Sequence, residues 1–83
     1  MTHELKTWIK YFKRIKEGTK TFEVRKDDRD FQIGDFLILR EYDNGSSSYT
    51  GLECSCYVTY VLRGGEFGIQ EGYCVMSIKL DLP

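Results

Sequence analysis

Eighty-three residues, 41% hydrophobic, 14% aromatic and 30% charged, are expected to form a single domain spanning 1–83, and they exclude a two-domain enzyme and an intrinsically disordered chain. A chain this short hides only about 60% of its unfolded surface, so one small core must stabilise it and any site is expected to be a shallow groove. The net charge of −1 argues against indiscriminate binding to nucleic acid, whose strength scales with the phosphates neutralised.

The start, Met1-Thr2-His3-Glu4-Leu5-Lys6, lacks the basic-then-apolar layout of a secretion signal. No window approaches the roughly 18–20 apolar residues of a membrane span. Three cysteines are too few, and odd in number, for a disulfide framework. These features predict a cytoplasmic protein with free thiols and no membrane partner. Residues 1–26 carry eight Lys and Arg against three Glu, whereas residues 27–83 carry four against ten acids. The basic first third either steers a polyanion or simply solvates the wet side of a helix.

That helix is predicted over Thr7–Glu17, where Trp8, Phe12 and Ile15 recur at i, i+4, i+7 and Lys10, Lys13, Arg14 and Lys16 fall elsewhere. Thr7 is the expected N-cap and Gly18 the expected C′ residue. From Lys20 the period becomes two. Phe22 and Val24 point one way and Thr21, Glu23 and Arg25 the other, which reads as a half-buried strand. Asp27–Asp30 reads as a turn and Ile33-Gly34-Asp35 as a corner into a strand at Phe36–Tyr42. The loop Asp43–Ser48 holds a hairpin signal in Asn44-Gly45. A long strand, Leu52–Arg63, requires a bend or bulge and places Leu52, Cys54, Cys56, Val58, Tyr60 and Leu62 on one face. An irregular connector over Gly64–Gly72 leads to a last strand with Cys74, Met76, Ile78, Leu80 and Leu82 inward. One helix followed by strands is an α+β layout, best satisfied by a small, mostly antiparallel, partly closed β-barrel with the helix plugging one end.

Among residues able to carry chemistry, Cys54, Cys56 and Cys74 lie on apolar faces and lack a clear fourth ligand, so they are read as core packing and no metal or other cofactor is expected. His3, the sole histidine, lies near a chain end and is discounted as a catalytic base, leaving a stacking or hydrogen-bonding role. The Gly64-Gly65-Glu66-Phe67-Gly68 stretch does not lead into a helix and is read as a flexible loop. The informative stretch is Gly18-Thr19-Lys20-Thr21-Phe22-Glu23-Val24-Arg25. There Thr21, Glu23 and Arg25 share a strand face at about 6–7 Å spacing. Either this row is a solvent-facing Glu–Arg pair, or Arg25 forks onto a phosphate or carboxylate while Lys20 adds a point charge and Glu23 orients Arg25.

Several segments together resemble a known family: His3-Glu4-Leu5-Lys6, Trp8, Tyr11-Phe12, Gly18-x-Lys20-Thr21-Phe22-Glu23-x-Arg25-Lys26, Asp28-Arg29-x-Phe31, Gly34-Asp35, Arg40-Glu41-Tyr42, Tyr49-Thr50-Gly51, Val58–Leu62 and Gly72-Tyr73-x-Val75-Met76. They are similar to domain-of-unknown-function family 3850, itself similar to ASCH domains of the PUA-like superfamily. The resemblance implies a small PUA-like β-barrel with a cleft lined by the G-x-K-T-x-E-x-R segment, and a role in binding RNA or a nucleotide-like ligand in bacterial or phage proteins. Three functions are then expected in turn. The first is a noncatalytic RNA- or nucleotide-binding module in which Lys6, Lys20, Arg25 and Arg29 contact phosphate or base edges, Trp8 and Tyr42 stack, and Thr21 and Glu23 line the cleft. The second is a small amidohydrolase acting on acylated cytidine, with Lys20 and Glu23 as catalytic candidates, although Glu23 stands where such enzymes are expected to carry a threonine. The third is a phage or bacterial interaction module that uses Lys10, Lys13 and Arg14.

Overall fold

The first element is a strand. In the computed structural model, which describes residues 1–82, β1 (Thr2–Trp8) points His3, Leu5 and Thr7 inward and Thr2, Glu4, Lys6 and Trp8 outward. Its inward face carries two polar side chains, so its period of two does not show as apolar alternation. The helix α1 (Ile9–Lys16) therefore begins later than the sequence predicts. Trp8, not Thr7, occupies the N-cap, with extended backbone and no side-chain cap. The C-terminal end is as expected. Gly18 takes φ +85°, its N–H donates to the Ile15 carbonyl at 3.0 Å, and Lys13, Arg14 and Lys16 occupy the last turn at the negative end of the helix dipole.

Four strands follow: β2 (Phe22–Lys26), β3 (Phe36–Asp43), β4 (Ser48–Arg63) and β5 (Tyr73–Leu80). They form one sheet in the order β1-β3-β4-β5-β2, with β1 and β3 parallel and the other pairs antiparallel. The sheet curls into a half-barrel with α1 packed on β1 and β3, so the expected α+β, mostly antiparallel architecture is present. Closure is incomplete, because β1 and β2 are the two edges and no ladder joins them.

Phe12 and Ile15 of the helix, Leu37 and Leu39 of β3, Cys56 and Val58 of β4, and Cys74 and Met76 of β5 meet in the core with Phe31. Each large apolar side chain there contributes about 1.5–3 kcal/mol by leaving water. Gly34 makes the predicted corner at φ +91°, with Asp35 N–H donating to the Gln32 carbonyl. His3 is not frayed. It is buried, with Nε2 2.8 Å from Asp35 Oδ2 and its ring edge-on to Phe31, so it ties β1 to that corner.

The long strand carries its bulge between Val58 and Tyr60. The bulge turns Tyr60 out to solvent and sets Val61 against the core, reversing the face expected for Tyr60. Leu52 and Leu82 are also exposed rather than inward, since Leu52 lies before the first core residue of β4 and Leu82 beyond the end of β5. In the 64–72 connector, the N–H groups of Gly64, Gly65 and Ile69 donate to backbone carbonyls rather than facing outward as a cradle.

Candidate functional site

Along β2 the alternation is the one expected, and the polar set is the inner one. Phe22 and Val24 are about half exposed, while Glu23 is only 3% exposed and Arg25 is half-buried. As an edge strand, β2 turns its inner face toward the open seam of the half-barrel, and the polar residues fill that seam in place of apolar ones. A buried carboxylate persists only when it is paired. Here Lys20 Nζ donates to Glu23 Oε1 at 2.9 Å, and Arg25 Nε donates to Oε2 at 2.8 Å. Lys20 also donates to the Phe22 carbonyl at 2.6 Å. Arg25 Nη2 reaches across to Thr7 Oγ1 at 3.1 Å, a side-chain bridge between the two sheet edges.

Above this bridge lies a cleft of about 670 Å³ lined by Lys6, Thr7, Trp8, Tyr11, Lys20, Phe22, Glu23, Val24 and Arg25. Its size falls within the roughly 300–1,000 Å³ of small-molecule sites. Three cations and one carboxylate leave it with a net positive charge of two. Trp8 and Tyr11 stack at 6.2 Å with rings 17° apart, and both stay about 40% or more exposed. Lys20 Nζ lies 5.5 Å from the Tyr11 centroid and 4.7 Å from that of Phe22. Arg25 Nη1 makes no hydrogen bond among the described residues, so its two N–H groups remain for an anion. The chemistry on offer is flat stacking surface beside held cationic donors.

Lys6, Trp8, Lys20, Glu23 and Arg25 thus come together in one cleft, and Thr21 does not. The Thr21 side chain is exposed at a smaller hollow near Ile15 and Ile78, and its carbonyl accepts from Ile78 N–H. The hydroxyl beside Arg25 is that of Thr7 instead. Arg29 lies outside the cleft and donates to the Glu4 carbonyl at 2.9 Å. Tyr42 sits one strand over, opposite Trp8 in register, with Lys6 Nζ 4.3 Å above its ring. Sequence reasoning missed Thr7, Tyr11, Phe22 and Val24. For Tyr11 there is a signal, since it follows Trp8 by three positions and shares its side of the helix start. Lys10, Lys13 and Arg14 do not line the cleft. The thiols take no part, Cys56 and Cys74 being fully buried. Burial pushes the Cys56 thiol up to about 12 and raises those of Cys54 and Cys74 as well.

The chain belongs to the family described as Domain of unknown function (DUF3850), matched over residues 2–78, a span that includes every cleft residue. It is also similar to the "Uncharacterized 12.9 kDa protein in GpA 3'region" of Escherichia phage P2, with 42% identity over 59 residues. The matched segment covers 71% of this chain and 52% of that protein, so the chain spans about half the length of the curated relative it matches.

Proposed function

We propose that the cleft binds RNA or a nucleotide. The observation that carries this reading is the stacked, exposed Trp8–Tyr11 pair set beside cations already oriented by a buried carboxylate. A base stacked on such a ring gains about 1–3 kcal/mol. A phosphate would take Arg25 Nη1 with Lys20 and Lys6 alongside, and Glu23 serves to hold Arg25 in place. The curled sheet with a helix at one end supports kinship with ASCH domains of the PUA-like superfamily.

Trp8 is the sole tryptophan, so its emission reports directly on occupancy of the cleft. Titration with nucleoside monophosphates and short RNAs is expected to quench it saturably and more weakly as salt rises from about 20 to 200 mM. Lys6→Gln, a change at an exposed position, is expected to weaken binding several-fold and to reduce the salt slope by about one. Failure of every nucleotide and RNA to bind at low salt overturns the reading.

A second reading rests on the Lys20–Glu23 contact, an acid–base pair facing the cleft at 2.9 Å. In it the protein hydrolyses acylated cytidine, with the pair moving protons between water and the departing amine. Incubation with acylated cytidines is decisive: turnover by the wild type that vanishes in Lys20→Ala supports it, and absence of turnover removes it.

A further inference from the structure

We infer that the cleft is one end of a longer track for single-stranded RNA, which runs from it over the outer face of the sheet. The inference rests on the cleft reading, since Trp8 and Lys6 belong to both. Its basis is a row of four rings. Tyr11 stacks on Trp8, Trp8 stands opposite Tyr42 across the β1–β3 pair, and Tyr42 stands opposite Tyr49 across β3–β4 with ring centroids 5.1 Å apart. With strands about 4.8 Å apart, the row extends for roughly 16 Å.

A register shift between Arg40 and Tyr42 creates the far end of this row. β4 gains residues there, with Gly51 at φ +95°, and Tyr49 is brought up beside Tyr42 instead of falling out of step. Trp8, Tyr11 and Tyr49 are each at least 40% exposed, an aromatic surface in excess of what this small core requires.

Three of the four rings also carry a cation. Lys10 Nζ is 5.0 Å from the Tyr11 centroid, Lys6 Nζ 4.3 Å from that of Tyr42, and Arg40 Cζ 4.1 Å from that of Tyr49. Rings interleaved with basic groups match a chain of bases and phosphates, and a protein partner has no comparable alternation of flat faces and anions. Arg40 is held by Glu53 at 3.3 Å, and that carboxylate remains half exposed. It is an acceptor that a ribose 2′-hydroxyl can donate to and a deoxyribose cannot, which assigns the track to RNA.

The test is length dependence, read by Trp8 emission and by calorimetry, with uridine monophosphate and uridine oligomers of about two, four and six nucleotides. Affinity is expected to climb from the monophosphate to about four nucleotides, one per ring, and then level off. Tyr49→Ala and Arg40→Gln, both at exposed or half-exposed positions outside the cleft, are each expected to weaken the hexamer about fivefold or more while leaving the monophosphate unchanged. Tyr49→Phe keeps the ring and is expected to keep the affinity, and an unchanged thermal midpoint shows that the variants fold. A hexamer that binds no tighter than the monophosphate, or that binds Tyr49→Ala as well as it binds the wild type, overturns the track and leaves the cleft standing. A deoxyuridine hexamer that binds as tightly as the ribose form overturns the assignment to RNA. If neither monophosphate nor oligomer binds, the cleft reading itself falls.

Discussion

A carboxylate that is 3% exposed survives in so small a fold because two cations meet it, each on its own oxygen. Removing the carboxylate strands both. Glu23→Ala is therefore expected to cost about 3 kcal/mol, the lower end for breaking a buried pair because Lys20 and Arg25 keep some contact with water. Urea denaturation measures it, and a loss below about 1 kcal/mol would show that the cluster contributes nothing beyond a surface pair. Asp35 offers a test by pH. Burial alone would raise its carboxyl, but hydrogen bonds from His3 and Gln32 and the Met1 ammonium outweigh that and hold it below the usual carboxylate value. Stability from such a group is complete above the unfolded value near 3.9 and is lost as pH falls through the lower folded value. The gap in urea midpoint between the wild type and Asp35→Asn is thus expected to be full at about pH 6 and to close below about pH 4. A gap independent of pH would remove the carboxylate from the account.

At the scale of elements, the turns test how the helix and strands are joined. Gly18 has φ +85° with open space where a Cβ would stand, so Gly18→Ala is expected to cost about 1 kcal/mol from backbone strain alone. At Gly64 a Cβ would collide with the Gln70 carbonyl and stand 2.8 Å from that of Tyr73. Gly64→Ala is expected to cost about 3 kcal/mol, as the β4–β5 connection must move. Equal losses in thermal melts would contradict that distinction. These local features were legible in the residues: the Gly18 helix end, the Gly34 corner, the Asn44-Gly45 hairpin and the bulge in β4 all follow from backbone chemistry. The sense of β2 was not. Its alternation is visible in Phe22–Arg25, but which side is inward depends on an open seam that only the tertiary arrangement creates. β1 was hidden for a related reason, since His3 and Thr7 are polar residues buried by partners distant in sequence, Asp35 and Arg25.

For the whole molecule, the core is sealed by packing while the barrel wall is not sealed by a ladder. Cys56 and Cys74 lie in the packed part and Cys54 at its border. At about pH 8 a thiol-specific reagent is expected to label Cys54 first and to reach Cys56 and Cys74 only at the rate of global opening, because their thiolates are suppressed and enclosed. Rapid labelling of all three in the native protein would show that the half-barrel breathes through its core. The candidate site was legible in part for the same global reason. Lys20, Glu23 and Arg25 announce themselves within one short stretch, whereas Thr7 and Phe22 join them only once the two sheet edges stand face to face.

Every side chain that walls the cleft falls between positions 6 and 25, and β3, β4 and β5 supply none. The cleft's own grip, as distinct from the track over β3 and β4, is therefore written in one stretch of the gene: a contiguous twenty-codon cassette, varied everywhere except at core positions such as Phe12 and Ile15, would change what the cleft holds while the three inner strands that it is mounted on stay untouched.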